Sequence, residues 1–218
     1  LENFLTQSNS PTQHSPFSVI LFDLGGVLLD FSGAAELAQH LEPPVSEDQM
    51  WVKWLKSPAV RTFETGQSTL AEFADAFIAE AGLRLNSDAL LAQYAGWYKG
   101  IYPGVQVLLQ RLRPNYRLGL LSNINSYYWE RIRQEPDLLP AFDFVFASHL
   151  LGLLKPDDAI FAHVVQTCAV PPAQILFLDD NLLNVDAARQ AGLSAYRVKG
   201  FASVKTLLAD LAVIPPHT

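Results

Sequence analysis

The sequence predicts an α/β protein: a parallel sheet covered by helices on both faces, a three-layer core, with a block of helices inserted after the first strand. Three observations carry that reading. Short apolar runs recur at 17–22, 117–121, 142–147, 175–178 and 195–198. Helix-like spacings alternate with the last four of them, which is the pattern of strands joined by crossover helices. Between Asp30 and Ile101 the alternation stops, and no convincing buried strand interrupts a series of amphipathic stretches.

Composition supports a folded globular chain. The protein has 218 residues, 50% hydrophobic and 17% charged, too apolar and too weakly charged for disorder. A chain of this length buries about 70% of its unfolded surface and needs no disulfide or metal staple. Its net charge of −7 and lack of any long basic run argue against a nucleic-acid partner. No apolar stretch has the length of a membrane span, and the N-terminus lacks the pattern of a secretory signal. The lone cysteine, Cys168, has no internal partner and reads as a small core residue. A reducing, cytoplasmic setting is expected. The oligomeric state is open, a monomer being slightly favoured.

The elements follow in order. Residues 1–16, rich in Ser, Thr, Gln and Pro, read as a tail. The run 17–22 ends at Asp23-Leu24-Gly25-Gly26, as a buried strand does when a tight loop follows. Helical patterns then cover 34–40, 50–55, 70–81 and 87–98. Asp30 is expected to cap the first, Ser68 or Thr69 the third, and Ser87 the fourth. Phe63-Glu64-Thr65-Gly66 reads as a turn. Further helices are expected at 105–112, 128–133, 158–168, 184–191 and 202–211. The domains divide as an α/β core at 17–30 and 101–218 and a helical domain at 31–100.

In open parallel sheets the ligand sits beyond the carboxyl ends of the strands. Those positions hold Asp23, Gly25 and Gly26 after the first strand, and Ser122 and Asn123 after the second. Lys155 follows the third, and Asp179, Asp180 and Asn181 the fourth, with Asn184 one helical turn on. Clustered carboxylates suit a hard cation such as Mg²⁺. A lysine, a hydroxyl and loop amides suit a phosphate. A carboxylate touching both can attack phosphorus and form an acyl phosphate. Trp51 and Trp54, three apart, read as helix packing rather than a sugar platform.

These motifs resemble those of the haloacid dehalogenase-like hydrolase superfamily. Phe22-Asp23-Leu24-Gly25-Gly26-Val27-Leu28, Leu121-Ser122-Asn123, Lys155-Pro156 and Leu178-Asp179-Asp180-Asn181 with Asn184 resemble its four motifs in order. The resemblance covers about residues 17–212, and the inserted helices match its helical cap. It implies a Rossmann-like core and a Mg²⁺-dependent phosphatase with an aspartyl-phosphate on Asp23. It also implies Mg²⁺ on Asp23, Asp180 and the Gly25 carbonyl, with Asp179 and Asn184 supporting them. Ser122, Lys155 and the amides around Leu24, Gly25 and Asn123 would hold the phosphate. The substrate is expected to be a small phosphorylated metabolite, a sugar phosphate such as glucose 1-phosphate. One departure is Gly25, where phosphatases of this kind carry the aspartate that protonates the leaving group. Glu64 and His40 are candidate substitutes. The departure keeps open a non-catalytic phosphometabolite-binding protein. A metal-free haloacid dehalogenase fits less well, because Asp179 and Asp180 are both present and Gly25 is not Tyr.

Overall fold

A computed structural model describes residues 15–215, so most of the expected tail lies outside the described residues. Strands β1 (Val19–Phe22), β4 (Arg117–Ser122), β5 (Phe144–Ala147), β6 (Ile175–Asp179) and β7 (Ser194–Arg197) form one parallel sheet. Its order is β5-β4-β1-β6-β7, which puts β1 at the centre. The remaining strands, β2 (Leu29–Phe31) and β3 (Tyr98–Ile101), pair antiparallel in a small second sheet.

The period of two in β1 divides the core into two layers. Val19 and Leu21 face Phe161, Val164, Cys168 and Val185, on helices α9 (Asp158–Cys168) and α10 (Leu182–Gln190). Ile20 and Phe22 face the other layer, which includes residues of α6 (Val105–Leu112), α7 (Ser126–Ile132) and α11 (Gly200–Asp210). All four β1 side chains are buried, as a strand covered on both faces requires. Full burial of each large aliphatic is worth about 1.5–3 kcal/mol. Cys168 is buried and free, as its spacing suggests.

Between β2 and β3 lie five helices: α1 (Ala34–Ala38), α2 (Glu47–Lys56), α3 (Pro58–Glu64), α4 (Leu70–Ala81) and α5 (Ser87–Ala95). Helices α2 and α4 start with reciprocal capping boxes, Ser46 with Gln49 and Thr69 with Glu72. Helix α4 stops at Gly82, whose φ of 70° suits a residue without a Cβ. Trp54, Phe63, Phe73, Phe77 and Tyr94 form an aromatic cluster among these helices, with Phe63 and Phe73 stacked at 4.5 Å. A short helix, α8 (Ser148–Leu151), follows β5.

Several local expectations change. Asp30 lies in β2 and does not cap α1, whose N-cap is Gly33. The fourth inserted helix is capped by Asn86 rather than Ser87 and ends at Ala95, so Tyr98 belongs to a strand. The β2–β3 hairpin escapes a search for buried strands because both strands are only partly buried. Among the described residues, no helix is long and apolar enough to cross a membrane.

Candidate active site

The parallel sheet brings the ends of β1, β4 and β6 together, with the loop that follows α8. Asp23 leaves the central strand β1 and still donates its amide to Leu178 of β6. The loop then closes tightly: Leu28 and Leu29 both donate to the Leu24 carbonyl at 2.9 Å, and Gly26 donates to Leu29. Gly26 has a φ of 67°, and a Cβ there would lie 2.6 Å from Asp180 Oδ2. That glycine lets the first loop approach the acidic loop after β6.

Lys155 is the hub. Its ammonium is buried and donates to Asp23 Oδ1 at 2.7 Å, Asp179 Oδ2 at 2.6 Å and the Leu121 carbonyl at 2.9 Å. Its backbone is held by Asn123, whose Oδ1 accepts from the Lys155 amide and whose Nδ2 donates to its carbonyl, both at 2.8 Å. Asn123 thus uses its side chain to fix the lysine loop. Ser122 is buried, and among the described residues its hydroxyl reaches only the Asn123 carbonyl, at a long 3.5 Å. Asp179 is fully buried. It accepts from Lys155, from Asn184 Nδ2 at 3.1 Å and from the Asn181 amide at 2.8 Å. Asn184 thus ties the helix after β6 to Asp179.

Oxygens of Asp23, Asp179 and Asp180 lie within 4.8 Å of one another. Burial raises the Asp23 carboxyl to about 6; Lys155 opposes this and Asp179 adds to it. Asp180 rises to about 7, through burial first and then repulsion by Asp23 and Asp179. Burial disfavours the Lys155 ammonium, but Asp179 and Asp23 outweigh it and hold its pKa above the ordinary value. Three carboxylates thus cluster around one buried ammonium, and among the described residues Lys155 ion-pairs with Asp23 and Asp179 only. An oxygen donor set with excess negative charge fits a hard divalent cation.

The site opens into a cavity of about 620 Å³. Asp23, Gly25, Ser122, Lys155 and Asp180 line it, and Phe31, Trp51, Trp54, Tyr94 and Tyr128 give it aromatic walls. Trp51 and Trp54 do pack together, edge to face at 6.2 Å, and both also line the cavity. Glu64 lines it too, from the end of α3. His40 does not. Its ring lies 2.8 Å from Gln93 Nε2, away from the cavity lining. Helix α3 runs into the segment that reads as a turn in the sequence: seven residues are too few to show a period.

The chain is 26% identical over 189 residues to Phosphatase MT3486 of Mycobacterium tuberculosis, covering 83% of this chain and 87% of that one. It is 23% identical over 185 residues to D-ribitol-5-phosphate phosphatase of Bacteroides thetaiotaomicron, covering 82% and 90%. A shorter match, 35% over 89 residues, is to drimenol cyclase drtB of Aspergillus calidoustus; it covers 41% of this chain and 17% of that protein. Among solved structures, a HAD family enzyme of Bacteroides thetaiotaomicron superposes with a TM-score of 0.68 at 24% identity, over 88% of this chain and 98% of that one. The same enzyme in complex with magnesium and inorganic phosphate gives 0.64 at 24%, over 84% and 95%. Residues 17–192 match the haloacid dehalogenase-like hydrolase family, and the chain belongs to that family.

Proposed function

We propose that the protein is a Mg²⁺-dependent phosphatase of small phosphorylated metabolites, with Asp23 as nucleophile. The observation that carries this reading is the Lys155 hub, which ties Asp23 to Asp179 of the acidic cluster beside the cavity. Residues 31–100 act as the cap over an α/β core formed by 17–30 and 101–218. Asp23, Asp180 and the Gly25 carbonyl would hold the metal, with Asp179 and Asn184 fixing the acidic loop. Bound there, Mg²⁺ offsets charge on the transferring phosphoryl group. Lys155 and Ser122, with the amides of Leu24, Gly25 and Asn123, orient the phosphate so that Asp23 faces phosphorus. Asp23 then forms a bond to phosphorus as the ester oxygen departs. Relatives named as phosphatases support the chemistry.

A sugar phosphate is the expected substrate class: aromatic walls can pack against the C–H faces of a sugar, and one relative is named for the phosphate of a sugar alcohol, D-ribitol 5-phosphate. A second reading, a phosphate ester of an apolar alcohol, is favoured by the cavity rim. Val52, Leu182 and Leu183 line it and are exposed, and the sesquiterpene phosphatase astK of Aspergillus oryzae is 25% identical over 182 residues. The test is phosphate release from glucose 1-phosphate, ribitol 5-phosphate, farnesyl phosphate and p-nitrophenyl phosphate, with Mg²⁺ and with chelator. Release that requires Mg²⁺ is expected. Folded protein that releases none from any of them is the binding protein that Gly25 keeps open.

Metal binding has a second readout. The raised values of Asp23 and Asp180 mean that the folded state binds more protons than the unfolded chain between about pH 4 and 7. Their contribution to stability is therefore present below about pH 4 and lost as pH rises through the folded values. Mg²⁺ should restore it where both carboxylates are ionised. At about 100 times its Kd the ion adds about 2.7 kcal/mol, or roughly 5–10 °C in Tm for a chain of this size. The shift should be large near pH 8 and small near pH 5; equal shifts at both would contradict it.

A further inference from the structure

Four charged side chains are buried among the described residues: Asp23, Lys155, Asp179 and Glu64. The first three form the acidic site. The proposed reaction leaves Glu64 without a use, and a buried carboxyl is costly to keep unless something offsets it.

We propose that Glu64 protonates the leaving oxygen when the phosphoryl group passes to Asp23, doing from the inserted helices what position 25 cannot do. This rests on the phosphatase reading above. Glu64 shares the cavity with Asp23, Gly25, Ser122 and Lys155. Its position is fixed from several sides. Oε1 accepts from Trp54 Nε1 at 3.1 Å. Its backbone carbonyl accepts from Ser148 Oγ at 2.6 Å, and the same hydroxyl accepts from the Ile124 amide beyond β4 at 2.9 Å. Arg61, one turn earlier, pairs with Asp157 beyond Lys155. Gly66, two residues on, has a φ of 75°, and a Cβ there would sit 2.8 Å from the His149 carbonyl. The end of α3 is thus fastened to the loops that carry Ser122 and Lys155.

The environment suits a donor. Trp54 gives the Glu64 carboxyl its only hydrogen bond from a protein donor among the described residues, and no cation is ion-paired with it there. Burial raises the carboxyl to about 7, with Trp54 and Lys155 opposing and Asp23 adding. Such a group carries its proton near neutral pH and can release it there. The other candidates fail on geometry or burial. His149 is turned to the Ile124 carbonyl through Nδ1 and does not line the cavity. Glu47 and Asp48 line the cavity as well, but they are exposed at the start of α2, without the burial that keeps a carboxyl protonated. Position 25 is not glycine for want of room: a Cβ there would meet Phe31 at an ordinary 3.6 Å.

The step balances as follows. An Asp23 oxygen forms a bond to phosphorus while the bond from phosphorus to the ester oxygen breaks. That oxygen keeps the electron pair and takes the Glu64 proton, leaving as an alcohol. Water then attacks phosphorus, its proton passes to the Glu64 carboxylate, and Asp23 is released with inorganic phosphate.

The test compares leaving groups in Glu64→Gln, which keeps the shape and can still accept from Trp54. The readout is kcat/KM, which reports the steps through loss of the leaving group. Butyl phosphate releases an unstabilised alkoxide, and its kcat/KM should fall about 100-fold or more. p-Nitrophenyl phosphate releases a stabilised phenolate and should lose about fivefold at most. Equal losses on both, or none on either, overturn the proposal. So does a wild type that cleaves nitrophenyl phosphate but no alkyl phosphate. Should the variant not fold, the wild-type ratio of butyl to nitrophenyl kcat/KM decides. It should fall as pH rises and Glu64 ionises; a flat ratio between about pH 5.5 and 8.5 overturns the assignment. Asp23, Lys155 and Tyr94, the other titratable groups facing Glu64, act on both substrates and cancel in that ratio. Failure of the phosphatase reading looks different, because wild type then leaves nitrophenyl phosphate intact as well.

Discussion

Asp23→Asn should lower turnover by about 10⁴-fold or more while leaving the protein folded. The two halves of that expectation have separate causes. An amide is a poor nucleophile toward phosphorus, so the covalent step is lost. The fold loses little, because the amide oxygen of the new side chain can still accept from Lys155, which bonds Asp23 at 2.7 Å. The change also removes one of three crowded carboxylates. Burial already pushes the Asp23 carboxyl up to about 6, so ionising it costs more in the fold than in the unfolded chain. Without metal near pH 8, the variant should therefore melt at the wild-type temperature or above it. Its Mg²⁺-induced rise in Tm should shrink, since one ligand is gone. Activity assays and melting curves with and without Mg²⁺ check all three. A variant that keeps even about 1% of turnover would remove the aspartyl-phosphate route.

Much of this site was legible because chemistry in a parallel sheet collects at strand ends. Asp23, Ser122 and Asp179 each follow a continuous apolar run, and a polar residue at that point stands out. Lys155 was legible for the same reason, although its loop lies beyond α8 rather than directly after β5. The core helices came within about two residues at most ends, which is the usual uncertainty of helix boundaries. What stayed hidden depends on contacts distant in sequence. Nothing local in Phe63-Glu64-Thr65-Gly66 says that Glu64 is buried; Trp54, ten residues earlier, and Ser148, 84 residues later, put it there. The β2–β3 hairpin pairs segments about 70 residues apart, with Asp30 opposite Gly100, and neither strand has an apolar run. The role of Asn123 in clamping Lys155 is likewise a tertiary fact, since the motif alone placed it beside the phosphate.

Lys155→Met should have the largest effect on stability, about 3–5 kcal/mol, or roughly 6–20 °C in Tm. The methionine fills similar volume, so the loss is electrostatic. Asp179 has a side-chain exposure of 1% and would keep only its bonds from Asn184 and the Asn181 amide. Asp23 would lose its ion pair as well. Three carboxylates would then face each other with no ammonium among them. The sign of the pH dependence follows. Losing Lys155 raises the carboxyl values further, so the folded variant binds protons more avidly than the unfolded chain and regains stability as pH falls. The gap to wild type should be widest near pH 8 and narrow near pH 5. Lys155→Arg should not rescue it, because a planar guanidinium cannot reproduce three bonds from one compact nitrogen. Adding Asp179→Asn to Lys155→Met should recover part of the loss, a coupling on the order of 1–3 kcal/mol, since the most buried charge disappears with its partner. Recovered stability would show that in the fold this lysine serves to offset the buried carboxylates. A double variant no more stable than Lys155→Met alone would mean that the cost lies in packing around position 155 and not in the ion pairs.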